Sequence, residues 1–322
     1  NLKTRQFRED DGPLAHPVRP NEYLEINNFY TATVYEKGAE IVRMLQLIAG
    51  SDRYKMCIQE FFDQHDGRAC TVEDWLDVFA KGLNMGLEQF SLWYSVKGRP
   101  IVNVKDSYAN GEYTLKFSQN INVESGLENS PAMLIPITLG LLDKEGNELR
   151  KSHTILFSKK VEIFKYGNFK EKPIPSLLRG FSAPVSLNDN LSIEDRLLLA
   201  THDTDLFNRW NTIKDLSLDS LEKLIYDGTP INEKIINCIV KQISDEELEP
   251  AFRALVVTPP SQTTIFNHLA LTRSDVEPVS IYNASQSFKT KLANASASIL
   301  LDTINKLSSF KNYEPNSYQS GA

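Results

Sequence analysis

The pattern of apolar positions changes twice along the chain, and each change marks a change of structure. From Asn27 to Gln46 the chain reads NNFYTATVYEKGAEIVRMLQ. Ile41, Leu45 and Ile48 recur at helical spacing, with Val34 and Gly38 one to two turns earlier, and Gly50 supplies a stop. The spacing predicts a helix over 27–49. DRYKMCIQEFFDQHDG follows, with Tyr54, Ile58, Phe61 and Phe62 at helical spacing and Gly67 as its stop. Thr71-Val-Glu-Asp74 has the form of a capping box and opens VEDWLDVFAKGL. LEQFSLWYSVKG then places Leu87, Phe90, Trp93 and Tyr94 on one side. Residues 1–98 therefore read as irregular chain followed by helices.

At residue 99 the period shortens. IVNVKDSY alternates, Asn110-Gly111 marks a tight turn, and EYTLKFSQ alternates again, which is a strong hairpin signal. AMLIPITLGLLD, the turn DKEGNE and HTILFSKKVEIFKY continue the β character, punctuated by Pro131, Pro136, Pro173, Pro175 and Pro184. The expectation for 99–187 is a small antiparallel β-sandwich. From residue 188 the helical period returns. Ser192-Ile-Glu-Asp195 is a second start of the capping-box type, and LSLDSLEKLIYDG, INEKIINCIVKQI and DEELEPAFRALVV are short amphipathic segments. A longer helix is expected over about 279–307. Successive helices with short connections predict stacked helical pairs over 188–322, the start of an α-solenoid, although no sequence repeat accompanies them. The fold class expected is multidomain α+β.

Two tyrosines in the first helical stretch raise a question that the pattern leaves open. Tyr30 and Tyr35 are five residues apart, which on a continuous helix places them about 140° apart around the axis. At least one therefore points away from the apolar face. Half-buried tyrosines with satisfied hydroxyls would give the same pattern as functional ones.

Composition narrows the function classes. Hydrophobic residues make up 41% and charged residues 24% of the 322, as in a soluble globular protein able to bury a sizeable core. The net charge of -7, with no basic stripe carrying interleaved aromatics, argues against nucleic acid as a partner. No apolar run approaches the roughly 20 residues of a membrane span. Cys57, Cys70 and Cys238 lie far apart and form no C-x-x-C pair, which points to reduced thiols and a cytoplasmic setting. Asn283-Ala-Ser285 and Asn294-Ala-Ser296 match the glycosylation pattern but fall in a helix-like segment, where chance explains them better. The chain begins with Asn1, has no signal peptide, and stops at Ser320-Gly321-Ala322, so it reads as a piece of a longer polypeptide.

Recognised catalytic motifs are missing. There is no H-E-x-x-H, no glycine-rich phosphate loop and no G-x-S-x-G, and His16, His65, His153, His202 and His268 lack metal-ligand spacing. His65-Asp66 and His202-Asp203 read as capping or solvated residues at helix ends, and REDDG at 8–12 reads as a solvated surface turn.

A family resemblance adds what the pattern withholds. AHPVRPNEYLEINNFYTATVYEKGAEIVRML is similar to the segment downstream of the zinc site in aminopeptidase N of the bacterial type, a zinc-dependent exopeptidase family of the gluzincin group. FFDQHDGRACTVEDW, FSLWYSVKGRPIVNVK, LRGFSAPVSL and THDTDLFNRWN continue the resemblance in the family's order, and the later helical region matches less distinctly. The resemblance implies that 1–98 is the C-terminal part of a thermolysin-like catalytic domain, 99–187 a β-sandwich domain, and 188–322 the N-terminal part of a helical C-terminal domain. The family's H-E-x-x-H, its third ligand (a glutamate) and its G-x-M-E-N motif would lie before Asn1. Zinc is then expected in the full-length parent, none bound by residues of this chain, and the chain alone is expected to be inactive.

In this family a tyrosine of the VYEKG segment points its hydroxyl at the scissile carbonyl, and that position is Tyr35. A phenol is a neutral donor at working pH and can take part of the charge that develops on the carbonyl oxygen. A phenylalanine would keep the packing and lose only the donor. Tyr30 matches a second tyrosine beside the substrate pocket, and Asn27 lies near the same surface. Glu36 and Lys37 are expected to be structural, linking neighbouring elements by ion pairs. The implied partners are peptide substrates and the remainder of the parent polypeptide, with no membrane and no nucleic acid. The alternatives are a non-catalytic scaffold or peptide-binding protein built on the same domains, and a leukotriene-hydrolase-like relative, against which the β-sandwich and FSAPV argue.

Overall fold

The computed structural model describes residues 2–121 and 131–307. It divides into two compact units, Asn1–Asp143 with Glu148–Asn190, and Lys144–Asn147 with Leu191–Ala322.

The first unit opens with a π-helical turn Leu2–Gln6 that runs into a short helix α1 (Phe7–Asp11). The chain expected to be irregular here is thus partly helical. After a single 3-10 turn, Ile26–Phe29, and a π-helical turn, Thr33–Lys37, come α2 (Gly38–Ala49), α3 (Ser51–His65), α4 (Val72–Leu83) and α5 (Glu88–Ser95). The capping box at α4 forms as the spacing predicts: the Thr71 hydroxyl accepts from the Asp74 amide at 3.2 Å while the Asp74 carboxylate accepts from the Thr71 amide at 2.8 Å. Ile41, Met44 and Leu45 of α2, Phe79 of α4, and Phe90 and Trp93 of α5 are buried and fill one core.

The same core continues into two sheets. β1 (Pro100–Ala109) and β2 (Glu112–Ile121) form the expected hairpin, closed by Asn110 and Gly111, both with positive φ (50° and 79°), as a primed two-residue turn requires. The four-stranded sheet has the order β5-β2-β1-β7, with β5 at Val161–Tyr166 and β7 at Ser186–Asn188. The three-stranded sheet has the order β4-β3-β6, with β3 at Ile135–Leu142, β4 at Glu148–Phe157 and β6 at Ile174–Leu177. Alternate residues of β2, including Tyr113, Leu115 and Phe117, face inward, and Phe117 meets Phe157 of the other sheet at a ring separation of 5.7 Å. One pairing departs from the antiparallel expectation: β7 runs parallel to β1. β7 is three residues long and follows a connection in which Leu178, Gly180 and Phe181 all take positive φ, so the chain enters the edge after a turn that no hairpin signal foretells. Arg43 of α2 donates to the Gly180 and Phe181 carbonyls and holds this turn.

Tyr94, at the end of α5, gives a pH test of this core. Burial, with a smaller effect of Tyr54 nearby, pushes its phenol up to about 12. The folded unit therefore keeps a proton that the unfolded chain loses from about pH 10 upward. Its contribution is intact below about pH 10 and is lost as the pH rises toward about 12, a loss of about 2–3 kcal/mol. Thermal unfolding followed between pH 9 and 12 should show a shallower decline for Tyr94→Phe than for the wild type.

The second unit is helical: α6 (Ile193–His202), α7 (Leu206–Asp227), α8 (Glu233–Ser244), α9 (Pro250–Val257), α10 (Gln262–Leu269) and α11 (Pro278–Leu307). Side-chain caps start four of them. Ser192, Asp205, Asn232 and Ser261 accept from backbone amides at the start of α6, α7, α8 and α10. Leu216 and Leu221 of α7, Ile235, Ile236 and Ile239 of α8, Ile265 of α10, and Phe288 and Leu292 of α11 build its core. Asp203, expected as a cap or a solvated residue, does stand at the C-cap of α6, but it is fully buried and accepts from the Asp205 amide at 3.0 Å. Both glycosylation-like patterns lie inside α11, with Ser285 and Ser296 buried.

Candidate functional site

The segment carrying the candidate residues is broken where a continuous helix was expected. Asn27 lies in the 3-10 turn Ile26–Phe29, Tyr30 closes that turn with non-helical torsions, and the helix proper starts at Ala32. Its first full turn, Thr33–Lys37, is π-helical before α2 begins at Gly38. The 100° spacing argument therefore does not apply between Tyr30 and Tyr35. Both rings are more than half exposed, at 57% and 59%, and their centroids are 6.0 Å apart. Phe29 meets Tyr30 at 6.0 Å, and Tyr23 meets Phe29 at 5.8 Å, so four aromatic rings form one run in which three tyrosines are exposed and Phe29 is half-buried. The structure brings Tyr30 and Tyr35 together and leaves Asn27 exposed on the turn before them.

The backbone under Tyr35 is held on both sides. Thr33 and Lys37, two residues before and after it, are fully buried while Tyr35 is exposed. On the early side, one oxygen of Glu9 accepts from the Thr33 amide at 2.8 Å and from its hydroxyl at 2.5 Å. The Thr31 hydroxyl accepts from the Val34 amide at 3.1 Å, and the Thr31 carbonyl accepts from the Tyr35 amide at 3.2 Å. On the late side, Lys37 Nζ donates to Asp10 Oδ2 at 2.7 Å and to the Gly98 carbonyl at 2.9 Å, while Asp10 Oδ1 accepts from the Gly98 amide at 3.1 Å. α1, the π turn and the approach to β1 meet at this one ion pair. Lys37 thus does link neighbouring elements.

Asp11 pairs with Arg99, whose guanidinium lies 3.9 Å from the centre of the Phe7 ring. Burial raises the Asp11 carboxyl, outweighing the opposing pull of Arg99, and burial likewise lowers Arg99.

This overturns the reading of REDDG as a solvated turn. Arg8 to Asp11 lie in α1, Asp10 is buried, and Glu9, Asp10 and Asp11 each take a partner between 24 and 88 residues away. A run of carboxylates with distant partners has no local signature, so periodicity cannot separate it from a solvated face.

Among the described residues, no group of three or more His, Cys, Asp or Glu side chains is arranged to hold a metal ion. Cys57 and Cys238 are buried free thiols and Cys70 is exposed. Among the described residues, no helix is long and apolar enough to cross a membrane.

Comparison with known proteins places this geometry. The profile described as "Peptidase family M1 domain" matches residues 1–94. A domain of unknown function (DUF3458) with an Ig-like fold matches 98–190, and its companion domain of unknown function with ARM repeats matches 193–322. Aminopeptidase N of Caulobacter vibrioides is 38% identical over 91% of this chain and 34% of its own length. Aminopeptidase N of Escherichia coli is 32% identical over 94% of this chain and 36% of its own. The crystal structure of Legionella pneumophila aminopeptidase A in complex with aspartic acid superposes with a TM-score of 0.82 at 26% identity, over 96% of this chain and 36% of that one. The chain spans about a third of the length of these relatives. It is a homologue of bacterial aminopeptidase N along most of its length, and its first 94 residues match the M1 peptidase family domain.

Proposed function

We propose that this chain is part of a zinc-dependent aminopeptidase that removes N-terminal residues from peptides. The observation that carries the reading is Tyr35: an exposed phenol on a backbone clamped from both sides, in a segment homologous to M1 peptidases. In peptide hydrolysis, negative charge develops on the carbonyl oxygen of the scissile bond. A phenol carried on a fixed backbone would donate a hydrogen bond there with little reorganisation, which is the condition under which such donors are most effective. Tyr30, 6.0 Å away ring to ring, would border the bound peptide, and Asn27 would lie at its margin. Zinc, held by residues of the longer polypeptide, would supply the Lewis acid and the activated water. The division into a catalytic-domain segment (1–98), a β-sandwich (99–187) and a helical segment (188–322) belongs to the same reading. A cytoplasmic setting is supported by the three free thiols.

The test is to express the full-length polypeptide and compare hydrolysis of an unblocked peptide with that of its N-acetylated form. Release of the N-terminal residue from the first and not from the second is expected. A zinc-loaded protein that cleaves neither would overturn the reading and favour a peptide-binding scaffold.

A further inference from the structure

The acidic run of α1 lies outside the aromatic run, yet it contacts the segment beneath it at two residues, Thr33 and Lys37. Glu9 makes the more informative contact. The helix starts at Ala32, so the amide of Thr33 is one of the first-turn donors that lack an acceptor within the helix. A carboxylate 24 residues earlier satisfies it and accepts the Thr33 hydroxyl as well. Gln6 adds a donor to the same hydroxyl at 3.3 Å. An anion at this end is also favoured by the helix dipole. Thr33, Val34 and Tyr35 then have three successive amides fixed, the first by α1 and the other two by Thr31.

We infer that Glu9 is a positioning residue for Tyr35: by capping Thr33 from α1, it fixes the backbone from which the phenol projects. The inference rests on the reading of Tyr35 as the oxyanion donor. Its expected effect follows from how steeply such sites depend on geometry, since a misplacement of about 1 Å can cost on the order of 10²-fold in rate. A hydrogen bond made only in the transition state affects kcat rather than KM.

Two measurements test it. In the 322-residue chain, NMR should show ring-to-ring contacts between Tyr30 and Tyr35 and a slowly exchanging Thr33 amide. Glu9→Leu should lose both, and Glu9→Gln, which keeps an acceptor oxygen, should restore them. In the full-length enzyme, Glu9→Leu should lower kcat by about 10–100-fold with KM within about twofold. The same substitution added to Tyr35→Phe should lower kcat by no more than about twofold, because the group being positioned is already gone. Equal losses in the two backgrounds, or ring contacts unchanged by Glu9→Leu, would overturn the inference. An unchanged kcat in Tyr35→Phe alone would instead overturn the reading of Tyr35, which keeps the two failures separate. Should Glu9→Leu fail to fold, Thr33→Val removes the hydroxyl's contacts to Glu9 and Gln6 while leaving the amide capped, and it enters the same kinetic cycle with the same kcat criteria.

Discussion

Replacing Lys37 with methionine is expected to destabilise the first unit by about 3–5 kcal/mol, the cost of breaking a buried ion pair from one side. The Lys37 and Asp10 side chains are both 1% exposed. With the ammonium gone, the carboxylate keeps the Gly98 amide as its hydrogen-bond donor among the described residues, and the Gly98 carbonyl loses its Lys37 donor. An isolated charge in that position cannot regain water, so the loss exceeds what the pair itself contributes. Urea unfolding monitored by tryptophan fluorescence checks this, with Trp210→Phe as background so that Trp75 and Trp93 report the first unit. Arg19→Ala is the control. Its pair with Glu73 is about half exposed on both sides, where solvent screens the charges, and the expected loss is small beside that at Lys37. Comparable losses at the two sites would contradict the structural role assigned to Lys37.

Much of this architecture was legible because it is written in local pattern. The Asn110-Gly111 hairpin, the Thr71–Asp74 capping box and the α3 stripe ending before Gly67 each depend on neighbours within a few residues. α10 escaped notice because its eight residues, QTTIFNHL, bury only Ile265 and Leu269 and make too short a stripe. The parallel β7 escaped because three residues carry no period. The break at Tyr30–Thr31 escaped for a different reason. The apolar stripe from Val34 onward fits an ideal helix, while the π turn begins and ends at residues held by distant partners, Thr33 and Lys37. For the site, the segment was recognised through its resemblance to a family. The part played by Glu9, Asp10 and Asp11 was not, because it depends on contacts across 24 to 88 residues.

Tyr35→Phe should have the largest effect on activity. The ring is 59% exposed, so losing one hydroxyl leaves no cavity and strands no buried partner. The backbone clamps at Thr33 and Lys37 do not involve the side chain, so the fold should be unaffected and the thermal midpoint unchanged. Removing a single donor from a preorganised oxyanion site costs about 10²–10³ in kcat. The loss should appear in kcat and kcat/KM equally, since the hydrogen bond strengthens only as charge develops. Tyr30→Phe should fall well short of this, because a residue bordering the peptide contributes mainly to KM.

The most direct measurement is steady-state peptidase kinetics on the full-length polypeptide, wild type against Tyr35→Phe, with zinc content determined in both. A fall in kcat of about 10²–10³ with zinc retained and KM little changed is the expected result. Unchanged kcat with zinc bound in both proteins would make Tyr35 a surface residue and contradict the assignment of this site.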